Sequence, residues 1–146
     1  MASREHVEQQ ERALLQAAED LLRSHGYTIV TADPQLFPRR RPSLAALKDG
    51  RLLVGIVATF PQPGAFCNPD QQQRLREELD ILIEENRPDR DPRVSYVQAV
   101  AFVQTPNDVR AALPPDDVKW VVVQTPSELP AEFDRLVVPL GVPGAD

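Results

Sequence analysis

The sequence predicts a mixed α/β fold, and three observations carry that prediction. An amphipathic segment over residues 3–25 has the helical period. An Asp49-Gly50 pair separates two apolar runs in the manner of a β-hairpin. A second helical segment beginning near Pro69 is followed by β-branched runs over 93–104 and 118–124. A helix, a three-strand meander and then strand–helix alternation give the order α-β-β-β-α-β-(α)-β. That order implies a mixed sheet with helices on both faces.

The first helix places Val7, Leu14, Leu15, Ala18, Leu21 and Leu22 on one side and Glu8, Glu11, Arg12, Glu19 and Arg23 elsewhere. Ser3 suits an N-cap, and Gly26 stands where a left-handed residue ends a helix. Tyr27-Thr28-Ile29-Val30-Thr31 is rich in β-branched and aromatic residues and is expected to be the first strand. Asp33-Pro34 through Arg41-Pro42 holds three prolines and three consecutive arginines, so it reads as a loop.

The hairpin runs from Ser43 to Phe60, with Leu44–Leu47 as one arm and Arg51–Phe60 as the other. The second arm is apolar on both faces, which is the pattern of a central strand covered on each side. Gly55 within it suggests a bulge or close packing against a helix. After a loop over 61–69, Asn68-Pro69 gives an N-cap and a first-turn proline, and Leu75, Leu79, Leu82 and Ile83 point a helix inward until about Asn86. The strand ends Val103-Gln104-Thr105-Pro106 and Val123-Gln124-Thr125-Pro126 share a threonine cap and a proline, the chemistry of a turn into a helix. They are two similar turns and define no repeat. Pro139, Pro143 and Gly144 suggest one domain over 1–140 with a frayed tail over 141–146.

Charge is segregated along the chain. Residues 1–60 hold eight Lys/Arg against seven Asp/Glu, and residues 61–146 hold eight against fifteen. A formal charge of −6 disfavours tight nonspecific binding to nucleic acid, which draws its affinity from cations that displace counterions from phosphates. Fourteen of the sixteen cations are arginine, a bias that suits phosphate contacts but that genome composition also produces. One cysteine, Cys67, forms no intrachain disulfide and completes no thiolate cage, and its loop offers it no catalytic partner. The charged N-terminal residues and the lack of a long apolar run predict a cytoplasmic chain with no membrane segment.

The hairpin that begins Arg41-Pro42-Ser43, turns at Asp49-Gly50 and continues to Ile56-Val57-Ala58 resembles, together with the element order over residues 10–124, the PD-(D/E)xK superfamily. The resemblance implies a restriction-endonuclease-like sandwich of helix, sheet and helix layers. In active members of that superfamily a Pro-Asp opens the second strand and an acidic-x-Lys triplet lies on the third. The two acids hold magnesium and the lysine attends the attacking water. Carried over, the Pro-Asp falls on Pro42-Ser43 and the triplet on Ile56-Val57-Ala58, so Ser43, Ile56 and Ala58 stand where the reactive side chains belong. A hydroxyl, a hydrocarbon and a methyl group supply no carboxylate for Mg²⁺ and no cation. The chain is therefore expected to bind no cofactor or metal at this position and to act as an inactive nuclease-fold module. Its expected partner is another protein or a second copy of itself.

Three other readings follow from the same residues. Asp33, Glu19 and Glu77 are acids that a divergent metal-dependent nuclease would have recruited from other elements, or else solvated carboxylates. Arg39, Arg40 and Arg41 precede the second strand and would border the former catalytic mouth. There they either grip phosphates or a partner's carboxylates, or lie solvated in a proline-bounded loop. A third possibility is an unrelated α/β scaffold. His6 and His25 lie too far apart in sequence for a helical metal pair, and Trp120 fits a strand core or an edge contact.

Overall fold

The computed structural model describes residues 4–60, 69–105 and 119–132. Its elements are α1 (Arg4–Ser24), β1 (Thr28–Ile29), β2 (Leu44–Lys48), β3 (Arg51–Thr59), α2 (Pro69–Asn86), β4 (Tyr96–Gln104) and β5 (Lys119–Val123), with 3-10 turns at Pro88–Arg90 and Pro126–Glu128. The five strands form one sheet in the order β1-β2-β3-β4-β5. β1, β2 and β3 pair antiparallel, whereas β4 runs parallel to β3 and β5 parallel to β4. The fold is thus the mixed α/β class read from the sequence.

Alternation along the strands sorts the core into two halves. Leu52, Val54 and Ile56 of β3 pack with Ala101 and Val103 of β4 beneath Leu75, Leu79 and Leu82 of α2. Leu53 of β3 packs with Val100 and Phe102 of β4 against Leu14, Ala18 and Leu22 of α1. β3 is buried on both faces because a helix covers each, which explains its continuous apolar run. The Asp49-Gly50 turn has φ of 50° and 84°, the left-handed pair that a two-residue hairpin requires. α1 ends as expected at Gly26, φ 89°, where the Tyr27 N–H closes on Leu22 O at 3.0 Å. Lys48 Nζ donates to His25 O at 2.6 Å and ties that helix end to β2.

Several sequence expectations need correction. The first strand is shorter than Tyr27–Thr31: beyond Ile29 one backbone bond remains, the Val30 N–H to Ala45 O at 2.8 Å, and then Thr31 Oγ1 accepts the Ala45 N–H at 2.9 Å in place of a backbone carbonyl. β4 begins at Tyr96 and not at Arg93, since Asp91 turns the chain and Val94 is buried in the turn. Gly55 sits in regular register with Leu44 and Val100, so it is not a bulge. Its neighbour is a strand and not a helix: an added Cβ would lie 3.3 Å from the Phe102 ring and from Val100 O. The 31–43 loop is also more than a connector. Leu36 and Phe37 are buried in the core beneath α2, after a turn in which the Gln35 N–H donates to Asp33 Oδ1 and the Phe37 N–H to Asp33 O. Ser3, Cys67, Asn68, the helix expected between β4 and β5, and the 141–146 tail fall outside the described residues.

Candidate functional site

The β2–β3 ladder ends with Leu44 paired to Gly55, so Ser43, in the bend just before β2, and Ile56 of β3 are the residues that follow that last pair on the two strands. The positions carried over from the nuclease motif therefore lie at the same end of the β2–β3 ladder. Pro42 is buried and Ser43 exposed. Ile56 is 3% exposed and packs with Leu75, Leu79 and Leu82 of α2, and Ala58 lies half-buried against the same cluster. This corner presents one hydroxyl and hydrocarbon, which suits packing and supplies no charged oxygen to a hard cation.

The three candidate acids Asp33, Glu19 and Glu77 do not gather into one group. Asp33 is engaged elsewhere: Arg93 donates to its Oδ2 at 3.0 Å and the Gln35 N–H to its Oδ1 at 2.8 Å, and these bonds hold its pKa below the usual aspartate value. Arg93 also donates to Asp91 at 2.9 Å and depresses that carboxyl to about 2. Glu19 belongs to α1, on the face of the sheet opposite Ile56. Glu77 is exposed on α2. Among the described residues no three His, Cys, Asp or Glu side chains gather in a metal-binding group. His6 and His25 stand at the two ends of α1, and Trp120 is half-buried against the α2-side core.

The arginine loop is held at the C-terminal end of α2. The buried Asn86 accepts the Arg39 and Arg40 N–H groups on Oδ1 at 2.9 and 3.1 Å. Its Nδ2 donates to Arg40 O at 2.7 Å and to Leu82 O at 2.8 Å. One side chain thereby satisfies three backbone groups of an irregular loop and adds a bond to the Leu82 carbonyl one helical turn back. Arg40 Nε also lies 3.3 Å from Glu85 Oε1. Arg39 and Arg41 are exposed and make no ion pair among the described residues. The sequence identifies the three arginines but not the asparagine that orders them, 46 residues away.

A second polar group escaped sequence reading altogether. At the carboxyl ends of β3 and β4, Thr59 pairs in register with Gln104, and Thr59 Oγ1, Gln104 Oε1 and Thr105 Oγ1 are buried without a hydrogen-bond partner among the described residues. The Phe60 N–H donates to Gln104 O, so alternation turns the Thr59 N–H toward the β2 side, beyond the end of the β2 ladder. The Glu11 carboxylate of α1 accepts it there. Burial, aided by repulsion from Glu8, raises the Glu11 pKa against that hydrogen bond. Nothing in the sequence marks Glu11, one of several acids on an amphipathic helix. These oxygen atoms are sealed from solvent by the surrounding packing.

The fold and this corner define a mixed α/β protein with an ordered arginine loop beside an apolar strand end. Comparison with protein-family models, with curated proteins and with solved structures finds no match. No helix among the described residues is long and apolar enough to cross a membrane.

Proposed function

We propose that the chain is a catalytically silent domain of restriction-endonuclease-like architecture that serves as a binding or assembly module. The observation that carries the reading is that Ile56, the residue of β3 just past the last β2–β3 pair, is packed into the core beneath α2 at the end of the ladder where Ser43 precedes β2. An antiparallel meander continued by a parallel strand after α2 supports the architecture. The separation of Asp33, Glu19 and Glu77 supports the absence of metal-assisted hydrolysis, which needs carboxylates close enough to share an ion.

The partner class that best suits a chain of charge −6 is protein, including a second copy, with nucleic acid held through Arg39–Arg41 as the weaker reading. The test is cleavage of plasmid, linear duplex and single-stranded substrates with Mg²⁺ and with Mn²⁺, alongside calorimetry with the same ions. No cleavage and no ion bound near Ser43 are expected. Metal-dependent nicking that is lost on substitution of Asp33, Glu19 or Glu77 would overturn the reading.

A further inference from the structure

The charged residues of the five strands are Lys48, Arg51 and Lys119, and alternation puts all three on the face of the sheet that α1 covers. Lys48 follows Ala46, Arg51 precedes Leu53 and Lys119 precedes Val121, each two positions from a residue packed beneath α1. Tyr27 and Tyr96 share that face: Tyr27 packs with the same core half, and the Tyr96 hydroxyl donates at 2.9 Å to Oε1 of Gln98, two positions before Val100. Register then sets four of these residues side by side at the turn end of the hairpin. Lys48 pairs with Arg51, Arg51 with Tyr96, and Tyr27 precedes Thr28, the partner of Leu47. The row reads tyrosine, lysine, arginine, tyrosine across β1 to β4, about 14 Å at the usual strand spacing.

The row is open and its cations are available. Tyr96 is 51% exposed, Lys48 and Lys119 are exposed, and Arg51 is half-buried. Lys48 Nζ is positioned by its bond to His25 O and by the Tyr27 ring, whose centroid lies 5.6 Å away, and an ammonium keeps further donors. Arg51 and Lys119 make no ion pair among the described residues. The acids on the bordering elements are Asp49 in the turn and Glu19 and Asp20 near the end of α1, and Asp20 is already held by Arg23 at 3.4 Å.

We infer that this end of the sheet binds single-stranded nucleic acid, with a base stacked on Tyr96, the adjoining phosphate on Arg51 and Lys48, and the strand continuing toward Lys119. An unpaired base presents an aromatic face to a tyrosine and its phosphate meets the neighbouring cation, whereas a duplex keeps its bases stacked on one another. A formal charge of −6 opposes diffuse attraction, so affinity here draws on stacking and on three local cations. The row lies at the opposite end of the β2–β3 ladder from Ser43 and on the opposite face from Ile56, so its ligand does not depend on the silence of that corner.

The test is fluorescence anisotropy of a labelled oligothymidylate of about 12 nucleotides, titrated with the full chain at several salt concentrations. Saturable binding in low salt is expected, with log K falling against log salt at a slope of about −2, the value for three phosphates of a single strand. Tyr96→Ala should weaken it about fivefold or more, and Tyr96→Phe should restore it. Arg51→Ala/Lys119→Ala should weaken it about tenfold and flatten the slope to about −0.7. Asp49→Asn, where asparagine tolerates the φ of 50°, should tighten it. These positions are exposed or half-buried, so circular dichroism should be unchanged in each variant. Arg39→Ala/Arg41→Ala should leave the affinity as it was. Absence of binding in low salt overturns the inference. So does binding indifferent to Tyr96→Ala, binding lost with Arg39→Ala/Arg41→Ala, or equal competition by duplex DNA or by polyglutamate. Metal-dependent cleavage that is lost on substitution of Asp33, Glu19 or Glu77 would overturn the proposed function and leave this row in place, so the two failures are separable.

Discussion

Asn86 of α2 and Arg40 of the loop before β2 exchange hydrogen bonds in both directions, the asparagine accepting from the Arg40 N–H at 3.1 Å and donating to the Arg40 carbonyl at 2.7 Å. An amide side chain can do this because it carries a donor and an acceptor side by side, matching the N–H and C=O of a backbone. Asn86→Ala strands the Arg39 and Arg40 amides and the Arg40 carbonyl. The expected cost is about 2–3 kcal/mol, read from urea unfolding. Trypsin should also cut the native chain faster at Arg39–Arg41. Asn86→Asp keeps the acceptor and loses the donor, and should fall between the two.

A Cβ added at Gly55 would stand 3.3 Å from the Phe102 ring on the adjacent strand, so the packed ring must give by a few tenths of an ångström to admit a methyl group. Gly55→Ala should destabilise by about 1–3 kcal/mol through displacement of the fully buried Phe102. Gly55→Ala combined with Phe102→Leu should recover part of that loss. The comparison of single and double variants by urea denaturation measures the coupling.

The acid limb of stability should report the Asp33–Arg93–Asp91 cluster. The Asp91 carboxyl is depressed to about 2, first by the Arg93 side-chain hydrogen bond and then by the Arg93 N–H. A folded-state value below the unfolded one adds stability that is present above the ordinary carboxylate value and is lost as pH falls toward 2. Asp91→Asn should flatten the pH dependence of the urea midpoint in that window and leave its slope near neutrality unchanged.

Glu11 has the opposite sign. Its folded-state pKa is raised, chiefly by burial, so ionisation opposes folding and stability falls as pH climbs through and above 4.5. Glu11→Gln keeps an oxygen to accept the Thr59 N–H and removes the charge. A gain of about 1–2 °C in Tm at neutral pH is expected, discounted for the exposed part of the side chain, and it should vanish below pH 4.5.

Much of the scaffold is legible from local rules. Asp49-Gly50 specifies its hairpin because only that backbone geometry joins the two arms, and the doubly apolar Leu52–Ile56 run marks a central strand because both its faces are covered. What escaped depends on contacts distant in sequence. Leu36 and Phe37 read as loop residues because the prolines around them exclude regular structure, yet an Asp33-centred turn folds them under α2. Asn86 read as a helix end, and its role needs a loop 46 residues away. For the site, hairpin register follows from turn length and puts Ser43 and Ile56 at the same end of the β2–β3 ladder. The candidate acids failed to join them because sequence proximity to a sheet end does not set the direction of a side chain.

Ile56 serves the core, and placing the acidic and basic residues of the resembled motif at Ser43, Ile56 and Ala58 measures how completely. Ser43 is exposed, so Ser43→Asp should change stability by no more than about 0.5 kcal/mol. Ile56 is 3% exposed among leucines of α2, so Ile56→Glu places a carboxylate where no described partner stands and should cost more than about 3 kcal/mol. Ala58→Lys, at a half-buried position with a long stem that can reach water, should cost less than Ile56→Glu and offset part of its charge. Thermal unfolding of the three single variants and of the triple variant, each with and without Mg²⁺, separates the possibilities. If Ile56→Glu folds with wild-type stability and Mg²⁺ raises the Tm of the triple variant, the strand end accommodates an ion once those side chains are present. If Ile56→Glu unfolds and Mg²⁺ leaves the triple variant unmoved, the position belongs to the packing beneath α2.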